Sequence, residues 1–216
     1  MKLKQHDSTH QQTSEYIRPH PPSKEAIKRA RFIDKTYTWV RNSSVRSEAN
    51  GLLNDATRVH CVVLHYLKDN HTETHNDESP GEGMSNPIIR AVQHLELADV
   101  LVGHNIIGYD LPLLKRLYPF FNPRGIIIDT LILSRLYHPN LFEIDKNRNW
   151  KHMPLQLYGR HSLEAYGYRL SEYKGNFSKD TDWQKWSQEM EDYCKQDVVV
   201  TTKLCKHFHP YLSGSN

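Results

Sequence analysis

The feature that most constrains this chain is an alternation of short apolar runs with segments of helical periodicity, from about residue 58 onward. Three β-branched runs predict buried strands: RVHCVVLHYL, then VLVG, then GIIID. Between and after these runs, apolar residues recur at helical spacing, which predicts helices at about 87–98, 109–118, 131–137, 161–167 and 182–208. Strands that alternate with helices favour an α/β fold in which helices pack on a sheet.

Two further stretches carry no such pattern. The polar run at 69–83 and the Pro-, Asn- and Lys-rich run at 138–160 predict irregular loops. A chain of 216 residues has room for one domain with a substantial core, and little room for a second. Neither a bilayer-spanning run of about 20 apolar residues nor an apolar N-terminal signal is present, so we expect a soluble protein.

The N-terminal segment differs from the rest in charge. Residues 1–46 hold ten Lys or Arg and four Asp or Glu, whereas the remainder is slightly acidic. We expect residues 1–46 to form a basic, disordered arm and residues 47–216 to form the folded domain. Such an arm suits a nucleic-acid tether, and the alternative is a sequence with no selected role.

Two acid-bearing motifs lie in the predicted domain. His104 and Asn105 follow the strand VLVG, and Asp110 follows in the first turn of the next helix. Tyr193 and Asp197 are four residues apart on the last helix, so their side chains share a face. Each acid alone has a plain explanation as a helix-dipole partner or a surface carboxylate. Together they favour an active site, because functional groups gather at strand ends in α/β sheets.

The order Glu48, HNIIGYD, YCKQD, with IIIDTLILSRLYHPNL and HSLEAYGYRLSEYKG between the motifs, carries a resemblance. It resembles the proofreading 3′→5′ exonuclease domain of the family A DNA polymerases of T-odd phages, over about residues 47–207. The resemblance implies an RNase H-like mixed sheet flanked by helices and the Tyr-containing branch of the DEDD exonucleases. Since the polymerase domain of that family is absent, we expect a free-standing or truncated exonuclease of DNA replication.

The resemblance also implies the roles of the site residues. Glu48 and Asp197 would hold the metal ion that activates water, and Asp110 would support a second ion. Two Mg²⁺ or Mn²⁺ ions suit these carboxylate ligands and suit phosphodiester hydrolysis. The Tyr193 hydroxyl would orient the attacking water.

The implied substrate is the 3′ end of single-stranded DNA. His104 and Asn105 would position the terminal nucleotide, and Leu52 would wedge against its base. A separately encoded DNA polymerase is the implied partner, and no membrane is involved. The implied location is the cytoplasm, which is the host cytoplasm if a phage encodes the chain.

One ligand of the family pattern is missing. The first strand of the family ends in Asp-x-Glu, but Arg46 stands at the position of the Asp. A cation there repels Mg²⁺, so the alternative function is a catalytically impaired exonuclease that binds single-stranded DNA or a polymerase. The polar run before Arg46 is also a poor central strand. A one-base frameshift explains both departures, since a restored base lets this run read Ile-Leu-Val-Phe-Asp, with residues 1–46 then out of frame.

The remaining candidates have structural explanations. Asp129 is predicted to cap the helix at 131–137, with support of the site as the alternative. The histidines lack metal-like spacing and are expected at the surface, whereas Trp183 and Trp186 are expected in the core. Buried, reduced thiols are expected at all three cysteines, which are Cys61, Cys194 and Cys205.

Overall fold

The computed structural model describes residues 36–40, 56–77, 86–148, 150–172 and 186–213, and for 36–40 it describes the backbone alone. These residues form a five-stranded mixed sheet with helices on both faces, which confirms the predicted α/β class. The strands are β1 (Thr36–Val40), β2 (Cys61–Tyr66), β3 (His71–Asn76), β4 (Val100–Gly103) and β5 (Ile126–Asp129).

The sheet has the order β3-β2-β1-β4-β5. Strands β1, β2 and β3 pair antiparallel, whereas β1, β4 and β5 pair parallel. This mixed arrangement is the RNase H-like sheet that the resemblance implied. Because β1, β4 and β5 run in the same direction, their carboxyl ends meet at one edge of the sheet.

The described residues also form six α-helices, one π-helical turn and one 3₁₀ turn. They are α1 (Ile88–Glu96), the π turn (Ile106–Asp110), α2 (Leu111–Leu117), α3 (Thr130–Tyr137), α4 (Leu141–Arg148), the 3₁₀ turn (Leu155–Leu157), α5 (Leu163–Arg169) and α6 (Gln188–Ser213). Within the described ranges, no helix is both long enough and apolar enough to cross a bilayer.

Strand β2 divides the core between the two faces of the sheet. Val62 and Leu64 pack with α1 and α2 on one face, whereas Cys61 and Val63 pack with α6 on the other. Successive side chains of a strand point to opposite faces. A strand that is covered on both faces must therefore be apolar at every position, which explains the unbroken run CVVL.

The second half of α6 leaves the sheet and covers the smaller helices. Val200, Leu204 and Phe208 pack against Leu141 of α4 and Tyr166 of α5 in a separate apolar cluster. This one helix therefore joins the sheet to the segment that follows β5.

The central strand β1 lies where the sequence predicted part of the arm. The expectation that residues 1–46 form a disordered arm is wrong for residues 36–40, which form a strand that pairs with both β2 and β4. The sequence TYTWV consists of good strand formers. A strand is needed at this position because the inner edges of β2 and β4 would otherwise leave backbone groups unpaired. Residues 1–35 and 41–46 lie outside the described residues, so the rest of the arm stays a prediction.

Two predicted loops contain regular structure. Strand β3 lies inside the run predicted as a loop at 69–83, because a short turn with Asn70 at φ 49° returns the chain along β2. Helix α4 lies inside 138–160, where Asp145 anchors the segment by accepting hydrogen bonds from Trp150, Gly159 and Arg169. Helix α5 also continues past Gly167 to Arg169.

The core residues match most of the sequence expectations. Cys61 and Cys194 are buried, Cys205 is partly buried, and Trp186 packs beside the α6 face of the sheet. Trp183 lies outside the described residues. The surface assignment of the histidines is wrong for two of them, because His60 and His75 are buried.

Candidate functional site

The turn after β4 presents the first predicted motif. Asn105 adopts a left-handed conformation at φ 61°, which asparagine tolerates better than most residues. Its side chain is exposed and lies over Gly108, where a Cβ atom would stand 2.6 Å from Asn105 Oδ1. The HNxxG spacing thus places Asn105 above a residue that has no side chain.

Asp129, at the end of β5, holds this turn in place. The backbone N–H of Asn105 donates to Asp129 Oδ1 at 2.9 Å, and the N–H of Ile107 donates to Oδ2 at 3.1 Å. Asp129 also accepts the N–H of Leu131, which confirms the predicted cap of α3. The buried carboxylate therefore caps a helix and supports the candidate site at once.

His104 is oriented by Thr130. The Thr130 hydroxyl donates to the Gly103 carbonyl at 3.1 Å and lies 3.0 Å from His104 Nδ1. Because a hydroxyl has a single hydrogen, the His104 Nδ1–H must be the donor to Thr130. This assigns the tautomer and leaves the Nε2 lone pair of a neutral His104 as an acceptor.

Asp110 ends the π-helical turn and directly precedes α2. Only 6% of Asp110 is exposed. Single π turns inside helical segments occur often at functional sites, because they redirect one side chain without ending the helix. The local fold therefore places a buried carboxylate close to the carboxyl end of β4.

Asp197 and Tyr193 lie on α6, which packs across β1, β2 and β4. Asp197 is 1% exposed and stands beside Val198, which belongs to the core on this face. Tyr193 is half-buried one turn earlier. The interpretation of Asp197 as a surface carboxylate is therefore excluded.

The donor set suits a hard divalent cation. An ionised carboxylate is costly to bury unless cations or hydrogen bonds compensate for the lost hydration. Asp110 and Asp197 are both buried aspartates, and carboxylate oxygens are the ligands that Mg²⁺ and Mn²⁺ prefer. The two residues thus fit the metal role that the resemblance implied.

Three residues of the predicted site lie outside the described residues. They are the metal ligand Glu48, the wedge Leu52 and the substituted position Arg46. The convergence of Glu48 with Asp110, Tyr193 and Asp197 therefore stays a prediction. The described residues do bring His104 and Asn105 together with Thr130 and Asp129, which lie at the end of the neighbouring parallel strand.

From the sequence, Asp129 was predicted mainly as a helix cap. A cluster of Glu73, His75 and His94 was not predicted. The signal for Asp129 was present, since an acid at the carboxyl end of one parallel strand can reach the turn after the next. The signal for the cluster was the spacing Glu-x-His, which puts both side chains on one face of a strand. That spacing was hidden by the assignment of residues 69–83 to a loop.

Comparisons with known proteins place the chain beside phage DNA polymerases. It is 35% identical to the DNA-directed DNA polymerases of Enterobacteria phage T3 and of Escherichia phage T7, in each case over 193 aligned residues that cover 76% of this chain. The chain spans only 27% of the length of each polymerase. This similarity shows homology to a segment of those proteins. No family model matches the sequence.

A solved structure also shares features with the chain. The family B DNA polymerase from the hyperthermophilic archaeon Pyrobaculum calidifontis aligns with a TM-score of 0.45 and 15% identity, over 82% of this chain and 25% of that one.

Proposed function

We propose that this chain is a 3′→5′ exonuclease domain of the proofreading type, which hydrolyses the 3′ ends of single-stranded DNA with two divalent cations. The observation that carries the proposal is the burial of two motif carboxylates, Asp110 after the parallel strand β4 and Asp197 on the helix that crosses the sheet. Similarity to a segment of two phage DNA polymerases supports it.

The proposal gives each residue of the site one task. Asp110, Asp197 and Glu48 would hold the Mg²⁺ or Mn²⁺ ions, which supply Lewis acidity at the scissile phosphate. The half-buried Tyr193 would orient the attacking water with its hydroxyl. The exposed Asn105 side chain, on a turn fixed by Asp129, would position the terminal nucleotide.

Arg46 supports a second candidate function. A guanidinium in place of a metal-bridging carboxylate repels divalent cations and attracts phosphate. The chain would then bind single-stranded 3′ ends, or a separately encoded polymerase, without cutting DNA. The basic character of residues 1–46 favours such binding.

One assay separates the two functions. A 5′-labelled single strand is incubated with Mg²⁺ or Mn²⁺ and with the wild-type chain, Arg46→Asp, or Arg46→Asp combined with Asp197→Asn. We expect stepwise shortening from the 3′ end with Arg46→Asp and its loss when Asp197 is also changed. The matched control is Asp192→Asn, because Asp192 is an exposed acid on the same helix.

The alternative outcomes are distinct. A folded Arg46→Asp variant that binds the strand but never shortens it would reject the exonuclease and favour the binding function. A wild-type chain that does not bind the strand, together with a folded Arg46→Asp variant that does not cleave it, would reject both functions.

A further inference from the structure

A second group of metal-ligating side chains lies far along the sheet from β4 and β5. Glu73 and His75 are two residues apart on β3, the edge strand, so they point to the same face. His94 of α1 reaches over this face, because α1 packs on β2 and β3. One possible ligand atom from each of the three residues lies within 4.8 Å of the other two.

The distances resemble those of a tetrahedral metal site. Glu73 Oε2 lies 3.5 Å from His75 Nε2 and 3.8 Å from His94 Nδ1. Zinc–nitrogen and zinc–oxygen bonds of about 2.0–2.1 Å at tetrahedral angles hold donor atoms about 3.4 Å apart. The carboxylate is therefore almost at ligand spacing from both rings.

We propose that Glu73, His75 and His94 bind one zinc-class divalent cation, with solvent at the fourth position. The ion would fasten the edge strand β3 to helix α1. Glu73 and His94 are each less than one-third exposed and the His75 side chain is fully buried, so the site opens to solvent on one side. That opening supplies both the entry path and the fourth ligand.

His75 is the residue that most needs such a partner. Its buried ring nitrogens face the Pro87 carbonyl and Glu73 Oε2, the latter 3.5 Å from Nε2, but within the described part of the chain neither nitrogen makes a hydrogen bond of good geometry. A buried polar group without a good hydrogen bond destabilises the folded state. A metal ion at Nε2 would satisfy this nitrogen.

The protonation states suit metal binding. Burial lowers the pKa of His75 below its usual value, so the imidazole is neutral near pH 7 and keeps a lone pair. Burial alone would raise the pKa of Glu73, but the Tyr66 hydrogen bond and the nearby His75 and His94 lower it overall. The carboxylate is therefore ionised, as a ligand must be.

Tyr66 supports the carboxylate from the neighbouring strand β2. Its hydroxyl donates to Glu73 Oε2 at 2.9 Å and lies 2.8 Å from His94 Nδ1. Since the Tyr66 hydrogen points to Glu73, His94 Nδ1–H is the donor to Tyr66 in this arrangement. Metal binding at Nδ1 would move that proton to Nε2 of His94, and would keep Tyr66 as a support for Glu73.

The ligand types select the metal. Two imidazoles and one carboxylate suit Zn²⁺ or Co²⁺, whereas Mg²⁺ prefers oxygen ligands alone. The cluster therefore differs in preference from Asp110 and Asp197. Zinc binding can be measured in a chain in which both aspartates are changed to asparagine, so that the proposed nuclease site does not contribute.

The test uses this Asp110→Asn and Asp197→Asn chain without an affinity tag. Zn²⁺ is titrated against a chromogenic chelator, and Co²⁺ is followed by its visible absorption. We expect one equivalent of Zn²⁺ per chain, no displacement by excess Mg²⁺, and a Co²⁺ spectrum of low coordination number. Bound Zn²⁺ should also raise the thermal unfolding midpoint.

Variants assign the ligands. Glu73→Gln and His94→Gln change partly exposed side chains, so folding is checked simply by circular dichroism. Each should weaken Zn²⁺ binding by at least about tenfold. His209→Gln is the matched control, because His209 is an exposed histidine on α6, and it should bind as the parent does. The absence of a Zn²⁺ equivalent, or equal binding by the parent and both ligand variants, would overturn the proposal.

Discussion

Asp129 accepts the backbone N–H of Asn105 at 2.9 Å through Oδ1, the same oxygen that caps helix α3 by accepting the N–H of Leu131. One buried carboxylate thus joins the end of β5, the start of α3 and the turn after β4. A shift of this side chain would move Asn105, and the turn that leads to Asp110, relative to the sheet.

Replacement of Asp129 by asparagine should therefore impair both stability and catalysis. The amide introduced by Asp129→Asn has one accepting oxygen instead of two, so at least one of the three N–H donors loses its partner. We expect the free energy of unfolding to fall by about 1–3 kcal/mol, and cleavage by the Arg46→Asp form to fall as well. Urea denaturation and the strand-shortening assay measure the two effects.

Ser162→Ala is the matched control for Asp129→Asn. Ser162 caps α5 by accepting the N–H of Ala165, and α5 packs with the second half of α6 in the separate apolar cluster. Loss of this cap should cost about 1 kcal/mol with no change in cleavage. Equal losses of activity in the two variants would show that Asp129 acts on stability alone.

Gly108→Ala should test the position of Asn105 with little effect on folding. The added Cβ would stand 2.6 Å from Asn105 Oδ1, and the exposed Asn105 side chain can swing away. An alanine that fits the local backbone stabilises by about 0.4–1 kcal/mol, which offsets the displacement. In the Arg46→Asp background we expect a higher KM for the DNA strand and an unchanged unfolding midpoint. An unchanged KM would remove Asn105 from the substrate-binding residues.

The Asp145–Arg169 pair should make the segment after β5 sensitive to acid. Asp145 is fully buried, and its two oxygens accept hydrogen bonds from the Arg169 guanidinium at 2.9 and 2.6 Å. Burial alone would raise the pKa of Asp145, but Arg169, the Gly159 N–H and Trp150 together lower it. The stabilisation is therefore complete above the unfolded-state pKa of about 3.9, and it is lost as the pH falls through the lower folded-state pKa.

Asp145→Asn removes this charge and leaves Arg169 buried without it. We expect a loss of about 3–5 kcal/mol in the free energy of unfolding at pH 7. The variant should also lose this component of the acid sensitivity, which urea denaturation at a series of pH values would show. Asp192→Asn, at an exposed position, should match the parent in both measurements. An acid response of Asp145→Asn identical to the parent's would contradict the assigned pKa direction.

The sequence predicted the elements whose signals are local. VLVG and IIID form β4 and β5, and the apolar spacing after Pro87 forms α1, because continuous apolar runs and helical periodicity depend on near neighbours. The strands β1 and β3 were missed because their stability comes from pairing with distant segments. His71–Asn76 is polar and becomes a strand only because β2 offers it an edge.

The same distinction holds for the candidate site. The motifs identified Asp110, Tyr193 and Asp197 as candidate site residues, and the fold shows that both aspartates are buried. The link from Asp129 to Asn105 joins residues 24 positions apart and depends on the pairing of β4 with β5. No local pattern encodes that pairing, so the sequence offered the supporting role of Asp129 only as an alternative to its cap, and the fold shows both roles.

The cysteines should be inert while the protein stays folded. Cys61 and Cys194 are buried with their sulfur atoms 3.4 Å apart, and the Cys194 contact together with burial raises the pKa of the Cys61 thiol. Burial raises the pKa of Cys205 to about 11. The thiolate is the reactive form of cysteine, so these thiols should react slowly in the native chain. A chromogenic disulfide reagent at about pH 8 should label them only as fast as local or global unfolding exposes them.

All three thiols should then react at once in denaturant, since unfolding exposes them and restores the ordinary pKa of Cys61 and Cys205. The labelling rate of the native chain should rise in Asp145→Asn, which populates the open state more, and should stay unchanged in Asp192→Asn. A rapid single equivalent in the native parent would mean that one thiol is accessible, and Cys205 would be the first to examine because it alone is not fully buried. The Cys205→Ser variant would then be labelled in the same way. Slow labelling of its two remaining thiols, Cys61 on β2 and Cys194 on α6, would show that the packing of α6 against β2 protects them.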